Sequence, residues 1–163
     1  MMKRLAVFVI LAMAAAPGLG GGEAVAATTC SDISGRLNEF ILPASAAPGD
    51  PFGRILGTVK GSLEGATTAF LTSLVPSQNG DLRITVNDTF VTLEGNQLFT
   101  QGAANWTLVK TGFYQVDLTL VIAGGTGKYA NATGQFHLLG IGNNVGPGTG
   151  QFVQEYRGQI CTQ

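Results

Sequence analysis

The chain has 163 residues, of which 9 are Lys or Arg, 10 are Asp or Glu and one is His, so its formal net charge at neutral pH is −1. A charge this close to balance offers no basic surface for nucleic acid or for an anionic membrane. One histidine among scattered carboxylates lacks the ligand spacing of a metal site, so we expect no metal, no cofactor and no nucleic-acid partner.

Residues 1–26 have the pattern of a secretory signal peptide. Lys3 and Arg4 precede an apolar run at 5–16, and the small residues that follow lead to Ala26. The run is shorter than the about 18 apolar residues that a membrane span needs, and no other stretch approaches that length. We therefore expect cleavage after Ala26 or Ala27 and a single soluble domain over 27–163, secreted or periplasmic and free of the membrane.

Cys30 and Cys161 are the only cysteines, and they lie near the two ends of the predicted domain. In an exported chain we expect them to form a disulfide, because oxidising compartments favour such bonds. A catalytic thiol is disfavoured, since no CxxC motif is present and the single histidine has no specified proximity to either sulfur. The disulfide requires the first and last strands to meet, as they do in a closed barrel or a sandwich.

Short strands account for the domain, and no segment of it has a helical apolar period. The clearest pattern runs from 53 to 65, where glycines and large apolar residues share one face and polar residues share the other. Such glycines leave room for large side chains opposite or let the strand coil. Strands are predicted here and at 33–42, 68–75, 81–87, 89–94, 97–101, 105–110, 113–123, 135–141 and 150–161.

Turn signals separate most of these strands. They are a proline-rich loop at 43–51, hairpin turns at 76–81 and 94–97, and a glycine-rich loop at 143–150. Short strands joined by hairpins predict an all-β fold, a closed antiparallel eight-stranded barrel, with a β-sandwich as the alternative.

Four glycines shape the connection between the strands predicted at 113–123 and 135–141: Gly124, Gly125, Gly127 and Gly134. Because glycine reaches positive φ, they predict a hairpin with an elaborate turn. A phosphate-binding P-loop is excluded, since Ile122 and Tyr129 stand where that motif needs glycine and Ser or Thr. The GxGxxA spacing of a dinucleotide fold is met, but a strand is predicted next and not the helix that binds phosphate.

The connection reads GGTGKYANATGQF at 124–136, and it resembles the pattern GGTGxYxxAxGxF of the allene oxide cyclase and dirigent barrel superfamily. The matching residues are Gly124, Gly125, Thr126, Gly127, Tyr129, Ala132, Gly134 and Phe136. The resemblance implies an eight-stranded antiparallel barrel with an apolar cavity, often oligomeric, whose relatives cyclise small hydrophobic molecules or steer their coupling. The motif itself is structural and does not indicate a reaction.

On the first strand, the same resemblance leads to Asn38. Plant cyclases resemble one another in a Glu-x-Asn motif there, and Arg36-Leu37-Asn38 matches it only at the asparagine. The resemblance thus implies a ligand contact for Asn38. Arg36 in the place of the acid argues against the opening of an oxide by the plant route.

Alternation along the strands points four further polar side chains into the barrel: Glu39, Tyr114, Gln154 and Tyr156. They are either core groups whose polar atoms find backbone partners, or the polar lining of an otherwise apolar ligand cavity. His137 alternates with Phe136 and Leu138, so we expect it on the outer face.

Two functions remain open at this point. The first is an exported barrel that binds a small hydrophobic molecule, as a cyclase, an isomerase or a dirigent-type protein that steers the conformation of its ligand. The second is a non-enzymatic secreted structural or interaction module with a filled barrel core. Both allow a homo-oligomer. The interior distinguishes them, because only the first function requires a cavity.

Overall fold

Eight antiparallel strands close into a barrel in the computed structural model, which describes residues 27–43, 50–146 (without the side chains of 144–146) and 149–163. They are β1 Thr29–Leu42, β2 Arg54–Gly61, β3 Gly65–Pro76, β4 Leu82–Thr92, β5 Gln97–Lys110, β6 Phe113–Gly125, β7 Thr133–Gly146 and β8 Thr149–Thr162. Each strand pairs with its neighbours in sequence, and β1 pairs with β8. The predicted closed barrel is confirmed and the sandwich alternative is wrong. The predicted signal peptide lies outside the described residues.

The two ends of the barrel carry different connections, and one half of the interior is filled by aromatic rings. The disulfide end carries the β2–β3, β4–β5 and β6–β7 connections, and the β1–β2 end carries the other four. An aromatic plug of Phe90, Phe136 and Tyr156 fills the half nearer the disulfide end, with ring centroids 5.4 and 5.9 Å apart along the row. These three rings are almost fully buried. No helix in the described ranges is long and apolar enough to cross a membrane.

Cys30 and Cys161 lie directly opposite each other in the ladder between β1 and β8. They form a disulfide, and their Cα atoms are 3.9 Å apart. The predicted pairing is confirmed, and the bond joins the two edges of the sheet at the seam where the barrel closes. A disulfide is consistent with an oxidising compartment outside the cytoplasm.

The glycine-rich connection between β6 and β7 lies across the disulfide end. Three of its glycines have positive φ: Gly124 at 106°, Gly127 at 56° and Gly134 at 123°. Side chains other than glycine rarely adopt this region, so the turn depends on them. Thr126 ties the connection to β5, because its N–H donates to the Gln97 carbonyl at 2.8 Å and its hydroxyl accepts from the Gln97 N–H at 3.0 Å. Tyr129 is buried beneath this turn.

Two predicted interruptions do not exist. The prediction of two strands each in 81–94 and in 97–110 is wrong, because β4 and β5 run through both breaks. The first predicted break falls at Asp88, which follows an asparagine, and both residue types favour turns. In the barrel its backbone pairs in register with Ala69 on one side and Thr100 on the other, and its side chain is buried. Pairing on both edges thus overrides the local turn preference.

Inner-face glycines make room for the large side chains of the neighbouring strand. A Cβ added to Gly35 would lie 2.5 Å from the Tyr156 ring, and one added to Gly57 would lie 2.5 Å from Cγ of Glu39. Such distances are too short for real contacts, so only glycine fits. The large apolar residues predicted to share this inner face with the glycines of 53–65 are buried: Ile55, Val59 and Leu63. The single strand predicted at 53–65 is wrong at its end, because β2 ends at Gly61, Leu63 lies in the turn and β3 begins at Gly65.

Candidate functional site

Four polar side chains from four strands face one small cavity in the half of the barrel nearer the β1–β2 end. They are Glu39 on β1, Asp88 on β4, Trp106 on β5 and Gln154 on β8. The rest of the wall is apolar, with Ile55, Ala69, Ile84 and Phe152 among its side chains. All four polar residues are less than 8% exposed, so the site is shielded from solvent.

Glu39 and Gln154 form a hydrogen-bonded pair inside the barrel. The Gln154 Nε2 group donates to Glu39 Oε2 at 2.7 Å. Each side chain lies over a glycine of the adjacent strand: a Cβ on Gly57 would lie 2.5 Å from Cγ of Glu39, and one on Gly140 would lie 2.7 Å from Cγ of Gln154. The glycines therefore create the space that the polar pair occupies.

The two carboxyl groups of the site carry raised pKa values. Burial raises the pKa of Glu39 from 4.5 to about 7, and the hydrogen bond from Gln154 lowers it in part. Burial also raises the pKa of Asp88 well above 3.8, and the nearby charge of Glu39 adds to the effect. Within the described ranges, none of the ion pairs includes either carboxyl. An acid pair without a cation holds its protons more tightly than exposed acids do.

Three polar atoms at this cavity have no hydrogen-bond partner among the described residues. They are Asp88 Oδ2, the indole Nε1 of Trp106 and Gln154 Oε1. Buried polar atoms without a partner are uncommon in folded proteins, because each has given up its hydrogen bonds to water. Because the residues that carry these atoms all line one cavity, it is a place that a polar group can occupy.

The cavity is small. Its volume is about 20 Å³, whereas sites for small organic ligands have volumes of roughly 300 to 1,000 Å³. About 10 to 15 Å³ is enough for one water molecule. The space at this site therefore fits one water-sized group.

The structure places the five polar residues predicted to line a cavity in different surroundings. It brings Glu39 and Gln154 together at the site, whereas Tyr114 and Tyr156 do not line the cavity. Tyr114 is only partly buried and packs against Trp106, with ring centroids 6.3 Å apart. Tyr156 belongs to the aromatic plug, where its hydroxyl accepts from the Leu63 N–H at 2.9 Å.

Asn38 lies outside the barrel, so its assignment to the cavity is wrong. Leu37 and Glu39 are buried on either side of it, and alternation turns Asn38 outward to the exposed face. The assignment of Asn38 rests on resemblance alone, without regard to the alternation of inward-facing and outward-facing side chains along β1. His137 lies on the outer face, as predicted, with its Nε2 2.5 Å from Asp117 Oδ1.

Asp88 and Trp106 are the two site residues that sequence reasoning missed. Asp88 falls between the strands predicted at 81–87 and 89–94, and Trp106 falls within the strand predicted at 105–110. A usable signal exists for Asp88: it has the same parity as Ile84, Val86 and Phe90, all of which are buried. An acid in the apolar register of a strand indicates an inward-facing acid.

A shallow depression lies on the outer face of β7 and β8. Its floor contains Leu139, Ile141 and Val153, which are 47%, 58% and 51% exposed. Polar and charged side chains surround it: Arg36, Asn38, Gln115, His137, Glu155 and Arg157. Arg36 and Glu155 form an ion pair across β1 and β8 at 3.1 Å. In the part of the chain that the structure describes, no group of His, Cys, Asp and Glu is arranged to hold a metal ion.

Replacing Tyr156 by Phe is expected to lower the free energy of unfolding by about 1 to 3 kcal/mol, because it leaves the buried Leu63 N–H without its acceptor. Tyr114→Phe is the matched control, since the Tyr114 side chain is only partly buried; we expect a change within about 0.5 kcal/mol. Urea unfolding followed by Trp106 fluorescence measures both. Equal effects of the two substitutions would contradict the structural role of the Tyr156 hydroxyl.

No protein-family model matches the chain, and no curated protein does. Among solved structures, the chain is similar to the pterocarpan synthase dirigent protein GePTS1. The two chains are 11% identical, the alignment covers 85% of this chain and 88% of that one, and the TM-score is 0.34.

Proposed function

We propose that this barrel binds a small, mainly apolar molecule at the acid pair of Glu39 and Asp88. The observation that carries the proposal is the pair itself, buried without a cation among the described residues and next to three unpartnered polar atoms. A barrel that served only as a scaffold would gain stability from apolar residues at these positions. Strongly perturbed acids in an apolar interior are typical of functional sites.

The chemistry available to the pair is proton donation and acceptance. With a pKa of about 7, Glu39 is divided between its acid and carboxylate forms at neutral pH, which suits a group that gives and takes a proton. Apolar walls hold a flexible ligand in one conformation, and orientation alone lowers the barrier to ring closure. We therefore place the activity among isomerisations and cyclisations, which need no oxidant or reductant, as the resemblance at 124–136 to the cyclase and dirigent superfamily implies.

Binding of an organic molecule requires the cavity wall to move. The 20 Å³ cavity is bounded by side chains such as Ile55, Ile84 and Phe152. Side chains can change rotamer without breaking the sheet, whereas the barrel backbone is paired all round. We propose that the ligand enters at the β1–β2 end, because the aromatic plug fills the other half of the barrel.

Export to a secreted or periplasmic location is part of the same proposal. It rests on the signal-peptide pattern of residues 1–26 and on the Cys30–Cys161 disulfide. A ligand of an exported barrel is taken from outside the cytoplasm.

Titration with the neutral fluorescent probe N-phenyl-1-naphthylamine tests the proposal. We expect saturable binding that quenches Trp106, the single tryptophan of the chain, which lies at the cavity. Ala69→Leu fills the cavity and should weaken binding about tenfold or more. Ala66→Leu is the matched control, the same change on the exposed face of the same strand, and should leave affinity unchanged. Circular dichroism verifies that both variants keep the barrel fold.

The small volume of the cavity favours a second function, the non-enzymatic interaction module. Under this proposal the outer depression around Leu139, Ile141 and Val153 is the functional surface, because an apolar floor with a polar rim is typical of protein interfaces. A homo-oligomer that buries this face is its expected form. Absence of saturable probe binding, together with self-association that Val153→Ser abolishes in sedimentation experiments, would establish this function over the first.

A further inference from the structure

We propose that the cavity between Asp88, Trp106 and Gln154 is a specific site for one hydroxyl oxygen, supplied by water in the empty barrel and by the hydroxyl group of a bound molecule otherwise. The claim that water occupies the site, which we call the water half, is independent of the proposed function. The claim that a ligand hydroxyl occupies the site, the ligand half, rests on the proposed function and narrows that function, since it names an alcohol as the class of molecule.

The hydrogen-bonding capacities of the three side chains determine what fits. The indole Nε1–H of Trp106 can only donate, and Gln154 Oε1 can only accept. The amide of Gln154 is held in this orientation because its Nε2 group donates to Glu39. Both atoms are buried and have no other partner in the described part of the barrel. A group that satisfies both atoms must therefore accept from Trp106 and donate to Gln154 at once.

Most ligand groups fail this requirement. A carbonyl or an ether oxygen can accept from Trp106 but leaves Gln154 unpaired, and an ammonium group can donate to Gln154 but leaves Trp106 unpaired. A hydroxyl oxygen satisfies both. It also satisfies Asp88 Oδ2, because a protonated Asp88 donates to the remaining lone pair, and burial favours the protonated form.

The size of the cavity supports the same group. A volume of about 20 Å³ admits one oxygen with its hydrogens and nothing larger. The apolar part of an alcohol must then lie beyond the cavity, against displaced side chains such as Ile84 and Phe152. Fixed hydrogen bonds thus recognise the hydroxyl end of the alcohol, and side chains that can repack contact its apolar end.

The single tryptophan makes the water half directly measurable. Its indole proton gives one NMR signal, and in the ligand-free protein we expect a cross-peak to water with the sign of a long-lived bound molecule. Val86→Ile adds one carbon to the cavity wall and should abolish the cross-peak. Val121→Ile, the same change on the outer face, should keep it. An indole proton protected from exchange but without a water cross-peak overturns this half, as does a cross-peak that survives in Val86→Ile.

Four small probes of similar size test the ligand half: benzyl alcohol, ethylbenzene, benzaldehyde and benzylamine. Benzyl alcohol should shift the Trp106 indole signal, remove the water cross-peak and bind about tenfold or more tightly than the other three. Equal binding of all four would overturn hydroxyl recognition and leave the proposed function standing. No binding of any probe, with the water cross-peak present, would overturn the ligand half and count against the proposed function, but not against the water site.

Discussion

Glu39→Gln is expected to become more stable than the wild-type protein as the pH rises, by about 3 kcal/mol at pH 7 and above. Folding raises the pKa of Glu39 from 4.5 to about 7 because the side chain is buried. Between these two pH values the folded state keeps the proton and the unfolded state releases it. The contribution of protonated Glu39 to stability is therefore complete below pH 4.5 and is lost as the pH rises to about 7.

Urea unfolding from pH 4 to pH 9, followed by Trp106 fluorescence, measures this difference. Gln at position 39 keeps a hydrogen-bonding side chain next to Gln154, so the two proteins should have similar stability near pH 4.5. Asp88→Asn should act in the same direction, because burial raises that pKa too. Val121→Ile on the outer face involves no titratable group and is the control, and its pH profile should follow that of the wild type. Parallel profiles for wild type and Glu39→Gln would falsify the buried-acid assignment.

The double variant Cys30→Ser, Cys161→Ser is expected to lose about 4 to 5 kcal/mol of unfolding free energy, since the disulfide closes a loop with a sequence separation of 131. In the chain-entropy model a loop of this length restricts the unfolded chain strongly. Folded structure should survive, because β1 and β8 remain paired along their whole length. Urea unfolding of the oxidised wild type and of the variant gives the difference. A loss below about 1 kcal/mol would contradict the unfolded-state mechanism.

Most of the barrel can be predicted from local patterns in the sequence. The alternation at 54–61, the hairpin glycines and the placement of Cys30 and Cys161 each express a short-range rule that the structure obeys. Predicted breaks inside β4 and β5 failed because backbone pairing with neighbouring strands outweighs local turn preference. Strand-to-strand pairing is a long-range property that no window of sequence contains.

Half of the site could be predicted and half could not. Glu39 and Gln154 follow from alternation alone, whereas their meeting depends on barrel closure, which places β8 beside β1. Asp88 comes from β4, with β2 and β3 between it and β1, so its place at the same cavity as Glu39 depends on the curvature of the whole barrel. The cavity volume is set by side chains from most of the strands together. Packing of this kind cannot be derived from one strand at a time.

The seam between β1 and β8 also dictates an order of folding. A chain synthesised from its N-terminus presents β1 first, but the partner for the outer edge of β1 is the last strand made. Until β8 arrives, the growing sheet has an unpaired edge that is exposed to aggregation. Closure joins residues that are far apart in sequence, so it is slow compared with the formation of the hairpins. Completion of the barrel therefore follows synthesis of β8, and a truncation that removes β8 leaves a sheet with two open edges.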